Sequence, residues 1–200
     1  MSFIESLLGH HRFVVRCQTD DKEKALSSNQ CSWCATVFAS KALQFKKLLG
    51  NADEFVALYN ECLLTGSQLR AERGDLKTYS YGENIDNPLI PQHVPIEILA
   101  QYTIQANIEK SFLDILPSEL CNEFYKRIYV PRDDIDFIAG NIVVMVSRHG
   151  QSFAVIPLTS ESFLVLDSHV HDVGIMSKDS LKKYILGDGY LHVTCFVCSL

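Results

Sequence analysis

Two short stretches carry the residue types of nucleophilic catalysis. Asn29-Gln30-Cys31-Ser32-Trp33-Cys34 sets two thiols at the start of a helical pattern, and Leu164-Val165-Leu166-Asp167-Ser168-His169 ends an apolar run in a carboxylate and an imidazole. A thiol at a helix N-terminus meets the positive end of the peptide dipoles and unsatisfied N–H groups, which favour the nucleophilic thiolate. Most free cysteines are small core residues, and that is the plain alternative here. Cys34 lies one helical step before Phe38, on the apolar face, whereas Cys31 lies in the junction before the helix, where its side chain can open into a cleft. Cys31 is therefore the expected nucleophile and Cys34 its rival.

Alternation along a strand puts Asp167 and His169 on one face, continuing that of Phe163 and Val165. A carboxylate so placed can orient the ring, fix its tautomer and stabilise the imidazolium formed when it takes a thiol proton. Alone, the pair also fits a strand running into a polar turn. Acyl transfer further needs N–H donors aimed at the developing oxyanion. The Cys31 backbone supplies one, and the nearby glutamines are Gln18 and Gln30. A side chain adjacent to the thiol tends to diverge from it, so Gln18, beyond the apolar run Phe13-Val14-Val15, is the expected second donor.

Other arrangements are weaker. Cys31/Cys34 and Cys195/Cys198 are both Cys-x-x-Cys pairs, but neither carries the Gly or Pro of a zinc knuckle, and two strand residues three apart face opposite ways. A redox pair at Cys31/Cys34 lacks the expected strand–helix–strand context. His10, His11, His149, His171 and His192 have no partner spacing, and neither a phosphate loop nor a His-Glu-x-x-His helix is present. No metal and no cofactor are expected. Asp133, Asp134 and Asp136 read as a solvated acidic loop.

The elements that must position these residues follow from periodicity. Helical spacing over residues 32–49 (Cys34, Phe38, Ala42, Phe45) stops at Gly50, and residues 52–64 repeat it with Phe55, Leu58, Tyr59, Cys62 and Leu63. Residues 74–94 form a long loop marked by Gly82, Pro88 and Pro91. Shorter helices are predicted over 95–102, 107–115 and 118–128. The tail changes to Val, Ile and Phe alternation, with strands predicted over 141–147, 152–158, 162–167 and 191–197, a tight reversal at His149-Gly150-Gln151 and a helix over 177–186. Helices first and an antiparallel sheet second give an α+β fold, expected as one domain spanning 1–200.

Composition bounds the function. With 200 residues, 47% of them hydrophobic and 21% charged, the chain resembles an ordinary globular protein rather than a disordered or disulfide-stapled one. Its net charge of −6 gives no basic surface for nucleic acid. No apolar run reaches the length of a membrane span; the longest candidate, near residues 137–146, contains Asn141. Seven cysteines without a secretory pattern suggest reduced thiols in a cytoplasmic setting, which would be the host cytosol for a virus or intracellular bacterium.

The order Gln18, Cys31 before a helix, then Asp167-Ser168-His169 resembles the deubiquitinase domain of the herpesvirus large tegument protein and the wider group of viral-tegument-like deubiquitinases. These are papain-like cysteine proteases whose acidic residue precedes the histidine as Asp-x-His. Residues 144–186, with Ile156-Pro157-Leu158 and Leu166-Asp167-Ser168-His169, and the Gln30-Cys31 helix start carry the likeness, while residues 65–130 add little. Herpesvirus members often have Pro where this chain has Ser168, which places it nearer the non-herpesviral branch. The resemblance implies a papain-like fold, a helical part packed on an antiparallel sheet. It implies a monomeric thiol hydrolase that cleaves ubiquitin or ubiquitin-like conjugates after the C-terminal glycine, without a cofactor, through Cys31, His169, Asp167 and Gln18. Two other readings fit the same residues: a thiol protease, amidase or acyltransferase of another substrate, or a non-catalytic binding module with core cysteines.

Overall fold

A computed structural model describes residues 6–20, 30–72, 105–106, 112–115, 142–148, 151–159, 161–186 and 193–199. In chain order these form β1 (Leu8–Val14), α1 (Gln30–Ser40), α2 (Ala42–Lys47), α3 (Ala52–Glu72), β2 (Gln105–Ala106), β3 (Phe112–Ile115), β4 (Ile142–Arg148), β5 (Gln151–Pro157), β6 (Ser162–Leu166), β7 (Asp172–Ser177), α4 (Lys178–Leu186) and β8 (Val193–Ser199). The fold is α+β, with helices packed on an antiparallel sheet. Among the described residues the strands make one sheet of order β1-β7-β6-β5-β4-β8-β2, and β3 also pairs with β8.

The central strands are buried on both faces: Val143–Val146 of β4, Ser152–Ile156 of β5 and Phe163–Leu166 of β6 are all covered. One face, with Val143, Met145, Ala154, Ile156, Leu164 and Leu166, joins the core built around α1 and α3. On the other, α4 turns inward Leu181, Tyr184 and Ile185, at helical spacing, and Tyr184 meets Phe153 edge to face. Ser177 caps α4 by accepting the Ser180 N–H at 3.2 Å.

α1 is apolar all round, and every residue from Gln30 to Ala39 is buried, because α3 covers one side and β5 and β4 the other. The predicted helix over 32–49 divides at Lys41, whose N–H is shared between the Val37 and Phe38 carbonyls at 3.2 Å each. α3 runs to Glu72, eight residues past its predicted end. Asn51 caps it by accepting the Glu54 N–H at 3.3 Å, and Asp53 and Glu54 complement the dipole of the first turn. Phe55, Tyr59, Cys62, Leu63 and Arg70 share its buried face, where Phe55 stacks on Phe13 and Tyr59 on Phe38. Gly66 completes that stripe. A Cβ there would lie 2.8 Å from the Cys34 Cα, so only a glycine lets the two helix backbones approach this closely.

Four strands depart from the sequence reading, one of them β2 at Gln105–Ala106, where no strand was expected. The helix predicted over 107–115 is not formed at its C-terminal end, where Phe112–Ile115 pairs with β8 instead; ladder hydrogen bonds and an apolar, partly β-branched sequence prevail over a helical spacing. β1 and β7 were not expected as strands. β1 is an edge strand whose residues Gly9 to Arg12 are exposed, so it lacks the alternation that betrays a half-buried strand. The predicted loop 74–94, helices 95–102 and 118–128, the reversal at 149–150 and the acidic group at 133–136 lie outside the described residues.

Candidate active site

β6 ends at Leu166, and residues 167–169 turn away from the sheet. The expected strand alternation is therefore not what joins Asp167 to His169. The Asp167 carboxylate accepts the His169 backbone N–H at 2.9 Å, an Asx turn, and with the same oxygen, Oδ1, binds His169 Nδ1 at 2.6 Å. One carboxylate oxygen thus makes the turn and holds the ring. The other, Oδ2, accepts the Tyr184 hydroxyl of α4 at 2.5 Å, while the Tyr59 hydroxyl of α3 donates to the Asp167 carbonyl at 2.8 Å. Asp167 is buried and gripped from both faces of the sheet.

Burial alone would make the Asp167 carboxylate harder to ionise. Hydrogen bonds from His169 and Tyr184, and the charge of His169, outweigh that and hold its pKa below the ordinary aspartate value. Burial likewise opposes the imidazolium of His169, but its hydrogen bonds to Asp167 and Cys31 and the nearby carboxylate push its pKa up to about 10. With Nδ1 committed to Asp167, Nε2 is the ring nitrogen left for the sulfur.

Cys31 and His169, 138 positions apart, are brought close enough for a hydrogen bond between them to help raise the His169 pKa. Cys31 does not open into a cleft as expected. It stands in the first turn of α1, covered with the rest of that helix, and is 1% exposed; the His169 side chain is 17% exposed. Cys34 is fully buried one turn on. Its sulfur donates to the Leu63 carbonyl at 3.8 Å, and burial together with the neighbouring Cys31 pushes its thiol pKa far up.

Gln18 reaches the same place from the other edge of the sheet. Past β1 its N–H donates to the Ser168 carbonyl at 2.8 Å, and its side-chain Oε1 accepts the Ser168 hydroxyl at 2.9 Å. Gln30 faces elsewhere, its amide nitrogen donating to Ser67 of α3. The segment around Gln18 is fastened further by Asp20, which accepts the Cys17 N–H at 2.8 Å and lies 3.4 Å from His171.

Tyr184, Tyr59 and Ser168 had not been singled out. The one signal for the two tyrosines is a hydroxyl-bearing ring on the buried face of each helix, since a buried Tyr O–H needs a partner. No group of three or more His, Cys, Asp or Glu side chains suited to a metal ion occurs among the described residues. Cys17, Cys31, Cys34 and Cys62 are free thiols. No described helix is long and apolar enough to cross a membrane.

No protein-family model matches the chain, and no curated protein matches it by sequence. Among solved structures it is similar to the ubiquitin-specific protease encoded by a murine cytomegalovirus tegument protein, which was crystallised in complex with a ubiquitin-based suicide substrate. The likeness covers 94% of this chain and 84% of that one, with a TM-score of 0.53 and 14% sequence identity. At this identity what the two share is the fold.

Proposed function

We propose that the chain is a papain-like thiol hydrolase that cleaves ubiquitin or ubiquitin-like conjugates after the C-terminal glycine. The observation carrying this reading is one imidazole hydrogen-bonded both to a buried carboxylate and to a cysteine at a helix start. Likeness of fold to a viral ubiquitin-specific protease supports the choice of substrate.

In this mechanism His169 takes the proton of Cys31, and the sulfur attacks the glycine carbonyl. The oxyanion of the tetrahedral adduct is stabilised by the Gln18 amide N–H and the Cys31 backbone N–H. Its collapse breaks the C–N bond, and His169 gives its proton to the departing lysine amine. A water molecule, deprotonated by His169, then attacks the thioester and expels the Cys31 sulfur. Asp167 keeps the ring oriented throughout. All four groups belong to the chain, so no cofactor enters the proposal. A monomer working in a reducing cytoplasmic compartment completes the proposal.

The test is labelling by ubiquitin that carries a C-terminal electrophile. Wild type and Cys34→Ala form the adduct, while Cys31→Ala and His169→Ala do not. Labelling lost only in Cys34→Ala refutes the choice of nucleophile. Labelling by short peptide electrophiles and not by ubiquitin moves the same chemistry to another acyl substrate. Thiol reactivity unchanged in His169→Ala leaves a binding module with core cysteines.

A further inference from the structure

The antiparallel register of β1 with β7 pairs Arg12 with Gly174, Phe13 with Val173 and Val14 with Asp172. It continues beyond both strands: the Val15 N–H donates to the His171 carbonyl at 2.8 Å, and Gln18 stands opposite Ser168. Gln18 is therefore held to this one residue twice, by its backbone N–H and by its side-chain oxygen. The second bond has a direction. The hydroxyl donates to Oε1, and the Nε2 hydrogens are turned to the opposite side. Among the described residues no protein group accepts from them. The Ser168 side chain is itself buried, between Asp167 and His169, and also lies within hydrogen-bond reach of the Cys34 sulfur.

We infer that Ser168 is a positioning residue: by donating to Gln18 Oε1 it locks the glutamine amide with its N–H2 group free to donate to the oxyanion. This rests on the hydrolase reading above and assigns a task to the residue between the acid and the base. Without the hydroxyl the amide is free to turn over and present its oxygen, which repels an oxyanion. The effect falls on the transition state, where the negative charge appears, and not on substrate binding.

The experiment is steady-state turnover of ubiquitin bearing a fluorogenic C-terminal amide, using the whole chain. Variants are Ser168→Ala, Ser168→Cys, Gln18→Ala, Gln18→Glu and the double variant Ser168→Ala with Gln18→Ala. Gln18→Ala lowers kcat by about 100-fold, the usual scale for one oxyanion donor. Ser168→Ala lowers kcat by about tenfold at unchanged KM, in keeping with one lost hydrogen bond. Ser168→Cys, close in shape but a weak donor, falls similarly. Gln18→Glu keeps the acceptor for Ser168 and lacks the donor, so it is as slow as Gln18→Ala. The double variant is no slower than Gln18→Ala alone, which a merely structural role for Ser168 would not produce. Wild-type turnover with kcat unchanged in Ser168→Ala, or a double variant about tenfold slower than Gln18→Ala, overturns the role of Ser168 and leaves the hydrolase reading intact. A wild-type chain that does not turn over ubiquitin overturns both.

Discussion

Asp167 gathers four donors on its two carboxylate oxygens and its carbonyl, and its hydrogen bond to His169, with that from Cys31 and its own charge, pushes the His169 pKa up to about 10. In the proposed mechanism the imidazolium is the acid that protonates the leaving amine, so the alkaline limit of turnover follows the His169 pKa. Asp167→Asn removes the carboxylate that holds that pKa up. The expected result is an alkaline limb displaced to lower pH by about 1–3 units. A kcat reduced by on the order of 10⁴ accompanies it, because an amide can hold the wrong ring tautomer. A pH profile of ubiquitin hydrolysis checks this, and an alkaline limb unmoved in the variant contradicts it. At this scale the Asp-x-His spacing was legible as chemistry. Its geometry was not, because alternation presumes a strand that continues, whereas the Asp167 side chain caps the strand end and makes a turn there.

The elements place the thiol and the ring by close approach rather than by local preference. Gly66 is the contact point of α3 with α1, beside Cys34 and one turn from Cys31. Gly66→Ala puts a methyl group 2.8 Å from the Cys34 Cα and Sγ and 2.9 Å from its backbone N, so one helix must move. The expected cost is about 1–3 kcal/mol. For a chain of this size that lowers the Tm by about 2–4 °C per kcal/mol, and ubiquitin-probe labelling slows because α1 carries Cys31. Thermal melts and labelling rates read both; a variant matching wild type in each would show that the helices are not packed this tightly. Gly174 has the same role at the other edge, where a Cβ would lie 2.2 Å from the His11 carbonyl oxygen and break the register that delivers Gln18. Helical periodicity revealed α1, α3 and α4 because their buried stripes are wide. β1 escaped notice because an edge strand buries almost none of its side chains, and β3 because four residues are too few to set a period.

Across the whole molecule the buried ionisable groups set a pH window for stability. The folded-state pKa of Asp167 lies below its ordinary 3.8, so its contribution is complete above that pH and is lost as pH falls through the lowered value. His169 is raised from 6.5 to about 10, so its contribution is complete below 6.5 and is lost as pH rises toward about 10. Burial, reinforced by Glu61, pushes the Cys62 thiol up from 9.0 to about 12, and that neutral thiol favours the fold until pH climbs past 9. The urea midpoint is therefore expected to be highest between about pH 4 and 6.5 and to decline on the alkaline side, most steeply beyond 9. Tyr184→Phe removes a donor from Asp167 Oδ2, raises that carboxyl's pKa and moves the acid limb to higher pH. Urea titrations across pH 3–10 test both statements, and an acid limb identical in the variant excludes Tyr184 from holding the carboxylate ionised.

Residue order alone was enough to nominate Cys31, Asp167, His169 and Gln18, and to separate a helical first part from a β-rich tail. Chemistry is written in side-chain types, and amphipathic periods are local, so both survive in one dimension. It could not say that α1 would be covered along its whole length, that Ser168 would face Gln18, or that tyrosines from opposite faces of the sheet would meet at one aspartate. Those relations link positions as far apart as 18 and 168, or 59 and 167, and arise only when the strands settle into register and the helices close upon them.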